Sequence, residues 1–405
     1  MLFESGLGGK PSSCLFLPFV YFAGDRLGNA NVENTTDMRP AAKRPKTIVL
    51  HDLFRMKGGG ERMALILAQH LAEGICFGYR MPDSFDLDSL AKVKLYDLNV
   101  KGGPFGLRTL RLMQAFKNKT KFIRDYDVAI FQGFFTPLAV HHHTRGPNIY
   151  YCNAPPRFAY DQFEFHMSLL PIWKRLLSRA YMPHLRKVYE EAVNNMDVVV
   201  ANSRNIKMRI RRYLNVETVI VHPPCDTRSF KWLGQEDFYL STARHDPLKR
   251  VDVIIEAFKL LPEKKLVVCS GGGEGKNLRA LAAGAPNITF TGWIDEQTYH
   301  DLIGKALATI YIPTDEDFGL SPVESMASGK PVIGVQEGGL LETIIPGETG
   351  VLLDPDPTPV AVAEAVLDLT AERALDMRPR CEERAKAFDT DVFVKKMKEI
   401  VLSVV

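Results

Sequence analysis

Two glutamates with seven residues between them lie in the most informative stretch of the sequence, TDEDFGLSPVESMASG at residues 314–329. Glu316 belongs to a loop after a short apolar run, and Glu324 follows Ser321 and Pro322, which predict the N-cap and first turn of a helix. Taken alone, Glu324 fits equally well as the capping-box partner of Ser321, and Glu316 fits a surface carboxylate. However, a helix start at the carboxyl edge of a sheet offers free N–H groups to a phosphate, and flanking carboxylates suit sugar hydroxyls. The stretch therefore predicts a site for a sugar joined to a diphosphate.

Two cations lie in a second loop, STARHDPLKR at residues 241–250, directly after another predicted strand. Arg244 and Lys249 would both stand at the carboxyl end of that strand, where they could neutralise a diphosphate and stabilise it as it leaves. Isolated basic residues in loops are usually only solvated charges. Their pairing with the loop of Glu316 and Glu324 favours the diphosphate site over that alternative.

The elements that must position these loops alternate between strand-like and helix-like patterns. This alternation predicts an α/β fold with two doubly wound, Rossmann-like domains facing a cleft, where ligands bind outside the carboxyl ends of the strands. We assign residues 46–225 to an N-terminal domain, 236–388 to a C-terminal domain, and 389–405 to a closing helix that packs back towards the N-terminal domain. The predicted strands are 47–51, 93–98, 128–131, 148–151, 198–201, 238–242, 265–270, 288–291, 308–312 and 331–334.

The bulk composition narrows the class of protein. A chain of 405 residues exceeds one typical domain and suits two. The net charge of +3, from 51 Lys+Arg and 48 Asp+Glu, is too balanced for a chain that binds nucleic acid as a whole. The six cysteines are scattered without metal-ligand or redox spacing, which predicts buried free thiols in a reducing compartment.

Residues 1–45 are interpreted as an extension outside the fold, with Met38 as an alternative start. Their apolar run at 14–24 contains Pro18 and is shorter than the ~20 residues that span a bilayer. No other segment is a candidate transmembrane helix, so we expect a cytoplasmic protein. Residues 173–187, WKRLLSRAYMPHLRK, and a basic segment at 207–212 fit either an interfacial segment on the anionic inner face of the cell membrane or a solvated helix face.

Taken together, these motifs resemble those of glycosyltransferase family 4, a group of retaining transferases with the GT-B fold. The family's acidic pair looks like Glu316 and Glu324, and its basic pair looks like Arg244 and Lys249. The similarity extends over about residues 46–405, and the chain looks most like bacterial or archaeal mannosyltransferases of the lipopolysaccharide O-antigen type. Further phrases of the family have counterparts in GGGER at 58–62, ANSRN at 201–205, EGG at 337–339 and GETG at 347–350.

The resemblance implies how a nucleotide-sugar donor is held in the C-terminal domain. Glu316 would hold hydroxyls of the transferred sugar, and Glu324 would hold the ribose. Arg244 and Lys249 would grip the diphosphate in place of a metal ion, so neither a metal nor another cofactor is expected. Backbone groups would complete the donor site: Phe318, Gly319 and Leu320 at the sugar and phosphate, Trp293 and Ile294 at the base, and Gly58, Gly59 and Gly60 from the N-terminal domain.

One position departs from the family's pattern. Related bacterial lipopolysaccharide mannosyltransferases have a histidine near the transferred sugar where this chain has Asn153, in YCNAPPRF at residues 151–158. An amide can donate a hydrogen bond but cannot carry a proton, so Asn153 is a candidate catalytic-site residue without a general-base role. The histidine run at 141–143 is interpreted as a polar loop, because three adjacent imidazoles cannot all face one metal ion.

The residues and the resemblance together predict a hexosyltransferase that moves mannose from GDP-mannose to a glycan or a polyprenyl-linked saccharide. Its products would be cell-surface polysaccharide or glycolipid. Two alternatives stay open: a transferase that uses a UDP-sugar and a soluble acceptor, and a non-catalytic protein that binds nucleotide sugars. No nucleic-acid partner is expected.

Overall fold

The computed structural model describes residues 44–100 and 107–405, so all of the predicted extension except Arg44 and Pro45 lies outside these ranges. Every strand named below belongs to one of two sheets, and every pairing between those strands is parallel. Helices connect the strands, as parallel sheets require. The predicted α/β class is confirmed.

The first domain is built on a seven-stranded sheet within the described ranges. Its strands are β1 (Thr47–His51), β2 (Gly74–Phe77), β3 (Lys94–Asp97), β4 (Val128–Gln132), β5 (Asn148–Cys152), β6 (Val198–Ala201) and β7 (Val219–Ile220). Their spatial order is β3-β2-β1-β4-β5-β6-β7, so the direction of winding reverses between β1 and β4. All residues of β1, β4 and β5 are buried, because helices cover both faces of the sheet.

Five α-helices of the described ranges belong to the first domain: α1 (Gly59–Leu71), α2 (Leu107–Asn118), α3 (Phe163–Ser168), α4 (Ile172–Asn194) and α5 (Arg204–Leu214). Short 3-10 helices cover Asp88–Leu90, Lys121–Asp125, Thr136–His142 and Arg157–Ala159. Helix α1 buries Met63, Leu67 and Leu71, which recur every four residues and face the sheet. Because α1 begins just after β1, its first residues lie at the carboxyl edge of the sheet.

The second domain repeats this design with six strands. They are β8 (Tyr239–Ser241), β9 (Leu266–Cys269), β10 (Ile288–Gly292), β11 (Ala308–Ile310), β12 (Val332–Val335) and β13 (Gly350–Leu353). The spatial order β10-β9-β8-β11-β12-β13 places the reversal between β8 and β11. Ligands of open parallel sheets bind in the crevice at such a reversal.

The helices of the second domain are α6 (Val251–Lys259), α7 (Gly275–Leu281), α8 (Glu296–Lys305), α9 (Leu320–Ala327), α10 (Leu340–Thr343), α11 (Pro359–Asp368) and α12 (Ala371–Lys386). A 3-10 helix, Pro247–Lys249, precedes α6. Apolar residues of these helices and of the strands form one continuous buried cluster. The second domain therefore has a hydrophobic core of its own.

The chain crosses between the two domains at two places that pair with each other. Cys225, in the first crossing, forms a parallel bridge with Asp389, in the second. The Cys225 N–H donates to the Phe388 carbonyl at 2.9 Å, and the Thr390 N–H donates to the Cys225 carbonyl at 3.0 Å. The two crossings therefore form a double-stranded connection.

The last helix, α13 (Thr390–Ser403), packs on the first domain after the second crossing. It buries Phe393, Met397 and Val401, which recur every four residues and join the apolar cluster under α1. The Phe393 ring meets the Tyr151 ring edge-on, with centroids 5.8 Å apart. This helix completes one face of the first sheet.

The histidine run is not the predicted polar loop. His141 and His142 end the 3-10 helix Thr136–His142, and His143 is buried. The His143 imidazole lies 2.9 Å from Asn148 Oδ1 through Nδ1 and 3.0 Å from the Tyr126 carbonyl through Nε2. His143 is a structural residue that joins the ends of two strands.

The described cysteines and helices bear on two further expectations. The five described cysteines are free and buried, as predicted, whereas Cys14 lies outside these ranges. The reducing compartment stays a prediction. Among the described helices, none combines the length and the apolar composition that crossing a membrane requires.

Candidate functional site

The predicted acidic and basic loops meet at the reversal of strand order in the second sheet. The first loop follows β11 and leads into α9, and the second follows β8 and leads into α6. A hydrogen bond from the Thr314 N–H to the Leu248 carbonyl, at 2.7 Å, ties the loops together. The adjacent strands β8 and β11 thus deliver both sets of candidate side chains to one crevice.

Glu316 and Lys249 are in direct contact at this crevice. The Lys249 ammonium forms an ion pair with Glu316 Oε2. The Tyr311 hydroxyl donates to the same oxygen at 2.9 Å and lies 3.1 Å from Lys249 Nζ. Burial, followed by the Glu316 charge, raises the pKa of Tyr311 well above its usual range, so its hydroxyl stays protonated as a donor. The carboxylate of Glu316 is therefore held in place by two partners.

The start of α9 differs from the prediction. The helix begins at Leu320 with Gly319 as its N-cap, so Ser321 lies in the first turn and caps nothing. Gly319 has φ +89°, a left-handed conformation that favours glycine. The capping-box interpretation of Glu324 is therefore wrong, because the residue that should cap the helix is already part of it.

Glu324 instead points to α8, where it accepts a hydrogen bond of 2.7 Å from the Tyr299 hydroxyl. Burial raises the pKa of Glu324, while Tyr299 and the nearby Arg62 charge lower it. The carboxylate is thus partly buried and shared with a neutral donor. Such a group can accept a hydroxyl hydrogen bond from a ligand.

Arg244 is exposed and forms no ion pair within the described ranges. Its charge nevertheless lowers the pKa values of Tyr311, in the second domain, and of Glu61, in α1 of the first domain; burial, the largest influence, raises both. Arg244 therefore lies between the domains, close to the Glu316 pair, with its guanidinium available to an anion.

Two loops of the first domain face the start of α9. A side chain at Gly59 would meet Leu320 Cδ1 at 2.9 Å, and one at Gly60 would meet Asn153 Nδ2 at 3.7 Å. The Gly60 carbonyl accepts a hydrogen bond of 2.8 Å from Gln132 Nε2, at the end of β4. The glycine loop and Asn153 are thus brought together with Leu320. Gly58 is held differently, since its own Cβ position is filled by the Glu61 side chain.

The remaining candidates lie further along the same edge. Phe318 has a buried side chain, stacked on His222 with ring centroids 5.3 Å apart, so only its backbone can face a ligand. Trp293 follows β10 and is 73% exposed, with its indole against the backbone of Gly271. Ile294 packs on the core of the second domain. Trp293 and Ile294 lie between β10 and α8, the helix whose Tyr299 contacts Glu324, whereas strands β9 and β8 separate β10 from the strand that leads to Glu316.

Some residues of the site escaped the sequence analysis. Tyr311 and Tyr299 hold the two glutamates, but each lies in an apolar or helical segment whose pattern indicates only packing. Arg157 and Arg209 of the first domain reach the loop of Glu316. From the sequence, Arg157 has no predicted role, and Arg209 belongs only to the basic segment 207–212. For the tyrosines the available signal was that a buried tyrosine hydroxyl usually needs a partner.

Comparison with known proteins relates the second domain to glycosyltransferases. Residues 226–388 match the protein-family model described as glycosyl transferases group 1. The chain is 29% identical over 147 residues to alpha-1,3/1,6-mannosyltransferase ALG2 of Dictyostelium discoideum, covering 30% of this chain and 35% of that protein. It is 27% identical over 249 residues to the ALG2 protein of Saccharomyces cerevisiae, covering 48% and 47%. The chain thus spans less than half the length of these two relatives.

Solved structures share the fold over nearly the whole chain. Sucrose-phosphate synthase from Thermosynechococcus elongatus superimposes with a TM-score of 0.71 at 17% identity, covering 88% of this chain and 98% of that one. Alr3699/HepE of Anabaena, in complex with UDP and glucose, gives a TM-score of 0.69 at 15% identity, covering 89% and 100%. These likenesses, together with the two parallel sheets, establish the GT-B architecture that the resemblance implied.

Proposed function

We propose that this chain with the GT-B fold is a retaining hexosyltransferase whose donor is a nucleotide sugar. The observation that supports it best is the contact of Glu316 with Lys249 and Tyr311 beside the start of α9, at the reversal of strand order. The same residues fall inside the region that matches the glycosyl transferases group 1 family. A carboxylate, a cation and free helix N–H groups at one crevice suit a sugar joined to a diphosphate.

In the proposed complex, the diphosphate lies at the start of α9 between Lys249 and Arg244. These cations neutralise the charge that develops on the diphosphate as it leaves, so the reaction needs no metal ion. Glu316 accepts hydrogen bonds from hydroxyls of the transferred sugar, and Glu324 accepts one from the ribose. Gly319 allows the backbone to approach the donor closely.

The transfer step breaks the bond between the anomeric carbon and the diphosphate oxygen and forms a bond to an acceptor hydroxyl. The acceptor enters on the face from which the diphosphate leaves, so the anomeric configuration is retained. Asn153 faces this region from the first domain and cannot accept a proton. The departing diphosphate oxygen is therefore the proposed proton acceptor.

We propose mannose from GDP-mannose as the donor group, because the curated relatives named above are mannosyltransferases. The contacts proposed here involve the diphosphate and the sugar rather than the base. UDP-sugars acting with a soluble acceptor therefore form the alternative, and a non-catalytic nucleotide-sugar-binding protein forms the second. The O-antigen type of product remains part of the proposal.

A lipid-linked acceptor at the inner face of a membrane is supported by an apolar surface on the first domain. Five large apolar side chains there are between 61% and 74% exposed. We call this the α4 patch, and its members are Leu169, Ile172, Trp173, Leu176 and Leu177. Ile172, Trp173, Leu176 and Leu177 lie on one face of α4, because they are spaced three and four residues apart, and Leu169 precedes this helix. Basic residues of the same segment lie beside them in the sequence. Such a surface suits an interfacial helix on anionic lipid.

The first test is a binding panel followed by a transfer assay. We expect GDP and GDP-mannose to raise the melting temperature of the purified protein more than UDP, UDP-glucose or ADP, since a ligand of the native state stabilises it. Mannose should then be transferred to a polyprenyl-linked saccharide with unchanged activity in EDTA, and NMR of the product should show the donor's anomeric configuration. Binding without transfer or donor hydrolysis would indicate the non-catalytic alternative. An inverted product or a strict metal requirement would contradict the proposal.

A further inference from the structure

The loop that carries Glu316 is held by two arginines of the first domain. Asp315 and Asp317 flank Glu316 in the sequence. Arg209, in α5, places Nη1 2.5 Å from Asp317 Oδ1 and Nη2 2.5 Å from Asp315 Oδ2. Arg157, in the 3-10 helix after β5, places Nη2 3.0 Å from Asp315 Oδ2 and Nη1 3.5 Å from Asp317 Oδ1. We call these four residues, Arg157, Arg209, Asp315 and Asp317, the interdomain clasp.

Side chains of the first domain also donate hydrogen bonds to three consecutive backbone carbonyls of the same loop. The Asp315 carbonyl accepts hydrogen bonds from Arg157 Nη1 at 2.8 Å and from Arg209 Nη2 at 3.1 Å. Two polar side chains at the start of α5 bind the next two carbonyls. The Glu316 carbonyl accepts from Asn205 Nδ2 at 2.9 Å, and the Asp317 carbonyl accepts from Ser203 Oγ at 2.7 Å. Three consecutive peptide groups around Glu316 are therefore oriented by the other domain.

This arrangement makes the placement of Glu316 depend on the contact between the domains. The interactions of Glu316 with Lys249 and Tyr311 lie within the second domain and fix only its carboxylate. If the domains separate, the Asp315 carbonyl loses both arginine donors. The Glu316 carbonyl loses Asn205 and keeps only the Gly339 N–H, at 2.8 Å, within the second domain. Resting on the proposed function, we propose that Arg157 and Arg209 are positioning residues, which align Glu316 for sugar transfer only when the two domains are closed.

The charges of the clasp are largely buried. The Arg209 side chain is only 9% exposed, so its guanidinium has lost most of its hydration. Burial lowers the pKa of Arg209, but Asp317 and Asp315 together raise it above its usual range. Burial also raises the pKa of Asp317 to about 6, although Arg209 and Arg157 lower it. Desolvation therefore outweighs the attraction for Asp317, as is common for buried ion pairs, whose value often lies in specifying geometry.

The kinetic test is a double-mutant cycle across the domain boundary. We expect Arg209→Ala and the isosteric Asp317→Asn each to lower kcat roughly 100-fold with KM for the donor changed less than about threefold, because each change removes the close contact of 2.5 Å between Arg209 and Asp317 from a buried ion-pair network. The double variant should be no worse than the poorer single variant, since both act on one interaction. Arg211→Ala is the control, because Arg211 lies on the same helix but pairs with Glu217 at the surface. Additive losses, or equal losses in the control, would overturn the clasp.

A second measurement does not depend on enzyme activity. Hydrogen–deuterium exchange of residues 313–320 should become at least about tenfold faster in Arg209→Ala and Asp317→Asn, but not in Arg211→Ala, because the loop loses its partners only in the first two. If the wild-type protein transfers no sugar, the proposed function fails, and this exchange measurement still decides the clasp. Unchanged exchange in both clasp variants would overturn it even in an active enzyme.

The pH profile adds a readout that a purely structural residue would not move. Because burial raises the pKa of Asp317 to about 6, its charge and its ion pairs with Arg209 and Arg157 are lost as the pH falls below that value, so kcat of the wild type should fall there. Asp317→Asn should lack this acid limb between pH 5 and 7. The other charged groups that face Asp317 are Arg157, Arg209, Asp161, Asp315, Glu316 and, through Asp315, Glu337.

The same pKa fixes the sign of the stability effect. The folded protein binds the Asp317 proton more tightly than an unfolded chain, in which the pKa is near 3.8. The free energy of unfolding of the wild type, relative to Asp317→Asn, should therefore rise as the pH falls from about 6 to 3.8. A wild type that loses both kcat and this relative stability in acid would be unfolding rather than unclasping, which would overturn the interpretation.

Discussion

One carboxylate oxygen of Glu316 binds two partners, Lys249 and Tyr311. A donor that binds Glu316 must therefore compete with these two interactions. In the proposed complex, a diphosphate that draws Lys249 towards itself would free part of the Glu316 carboxylate for sugar hydroxyls. The ion pair between Lys249 and Glu316 would then be exchanged for two interactions with one donor molecule. Binding of the donor and alignment of its sugar would thereby be linked.

Glu316→Gln should lower the transfer rate by roughly 1,000-fold or more, because a neutral amide cannot offer the same charge to the sugar in the transition state. Affinity for the free nucleoside diphosphate should stay within about threefold, since Glu316 does not contact it in the proposed complex. Initial rates and calorimetric titration measure the two quantities. Glu364→Gln, on the exposed face of α11, is the control. Near-normal turnover in Glu316→Gln would remove the assignment of Glu316.

Arg244→Ala should weaken binding of the nucleoside diphosphate itself. The expected loss is about 2–4 kcal/mol if closure of the two domains desolvates the ion pair between Arg244 and the diphosphate. Arg380→Ala provides a matched loss of charge at an exposed position of the second domain, and it should bind normally. Titration calorimetry of both variants checks this. An unchanged dissociation constant in Arg244→Ala would show that the exposed guanidinium does not bind the diphosphate.

The two tyrosines that bind the glutamates could not be predicted from the sequence. Glu316 and Lys249 could be placed at strand ends from sequence, because loops at the carboxyl edge of a parallel sheet must converge. Tyr311 and Tyr299 could not be assigned to them, since the partner of a buried hydroxyl is decided by tertiary packing. Arg209 looked like one cation in a basic helix, although it is buried and faces the other domain.

Gly319 is the element on which the geometry of the helix start depends. Its φ of +89° strains any other residue, and a Cβ there would lie 3.1 Å from Leu340 Cδ1. Gly347 has a similar φ of +78° but nothing within 4 Å of its Cβ position. The two glycines thus separate backbone strain from crowding at the site.

Both Gly319→Ala and Gly347→Ala should lower the free energy of unfolding by about 1–2 kcal/mol, the cost of a left-handed conformation for alanine. Only Gly319→Ala should also weaken donor binding, because the shift at Leu340 moves the N–H groups at the start of α9. Chemical denaturation and ligand-induced melting shifts measure the two effects. Equal donor affinity in both variants would exclude the start of α9 from the donor site.

The fold class was predictable because alternating strand and helix patterns are strong over most of the chain. Three strands left no usable signal. β2 (GICF) and β13 (GVLL) are short apolar runs preceded by glycine, and β7 has two residues. The start of α9 was misplaced because Ser321 and Pro322 imitate a cap, whereas Gly319 alone can adopt the conformation that the chain needs there.

On the whole molecule, the α4 patch is the surface that the fold leaves unexplained. Soluble monomers rarely expose five large apolar side chains together. If the patch rests on a membrane, Trp173→Glu combined with Leu176→Glu should reduce binding to anionic vesicles by roughly tenfold or more, because each charge prevents burial of an apolar side chain. Co-sedimentation with phosphatidylglycerol vesicles measures this.

The control for the patch is Leu402→Glu, which introduces the same charge at another exposed leucine, on α13. It should bind vesicles as the wild type does. Activity on a water-soluble acceptor should be unchanged in the patch variant, since the patch lies outside the proposed donor site. Equal vesicle binding by the wild type and the patch variant would contradict the proposal that the α4 patch binds a membrane.

The paired crossings at Cys225 and Asp389 connect the two domains by two segments that are bonded to each other. A single connecting strand would let the domains swivel freely about its bonds, whereas two strands bonded to each other resist torsion and allow bending across their common line. If the domains open and close as the clasp proposal requires, this connection would restrict the direction of opening and would return Arg157 and Arg209 to Asp315 and Asp317 on each closure. The precision with which Glu316 is aligned would then depend on the connection between the domains.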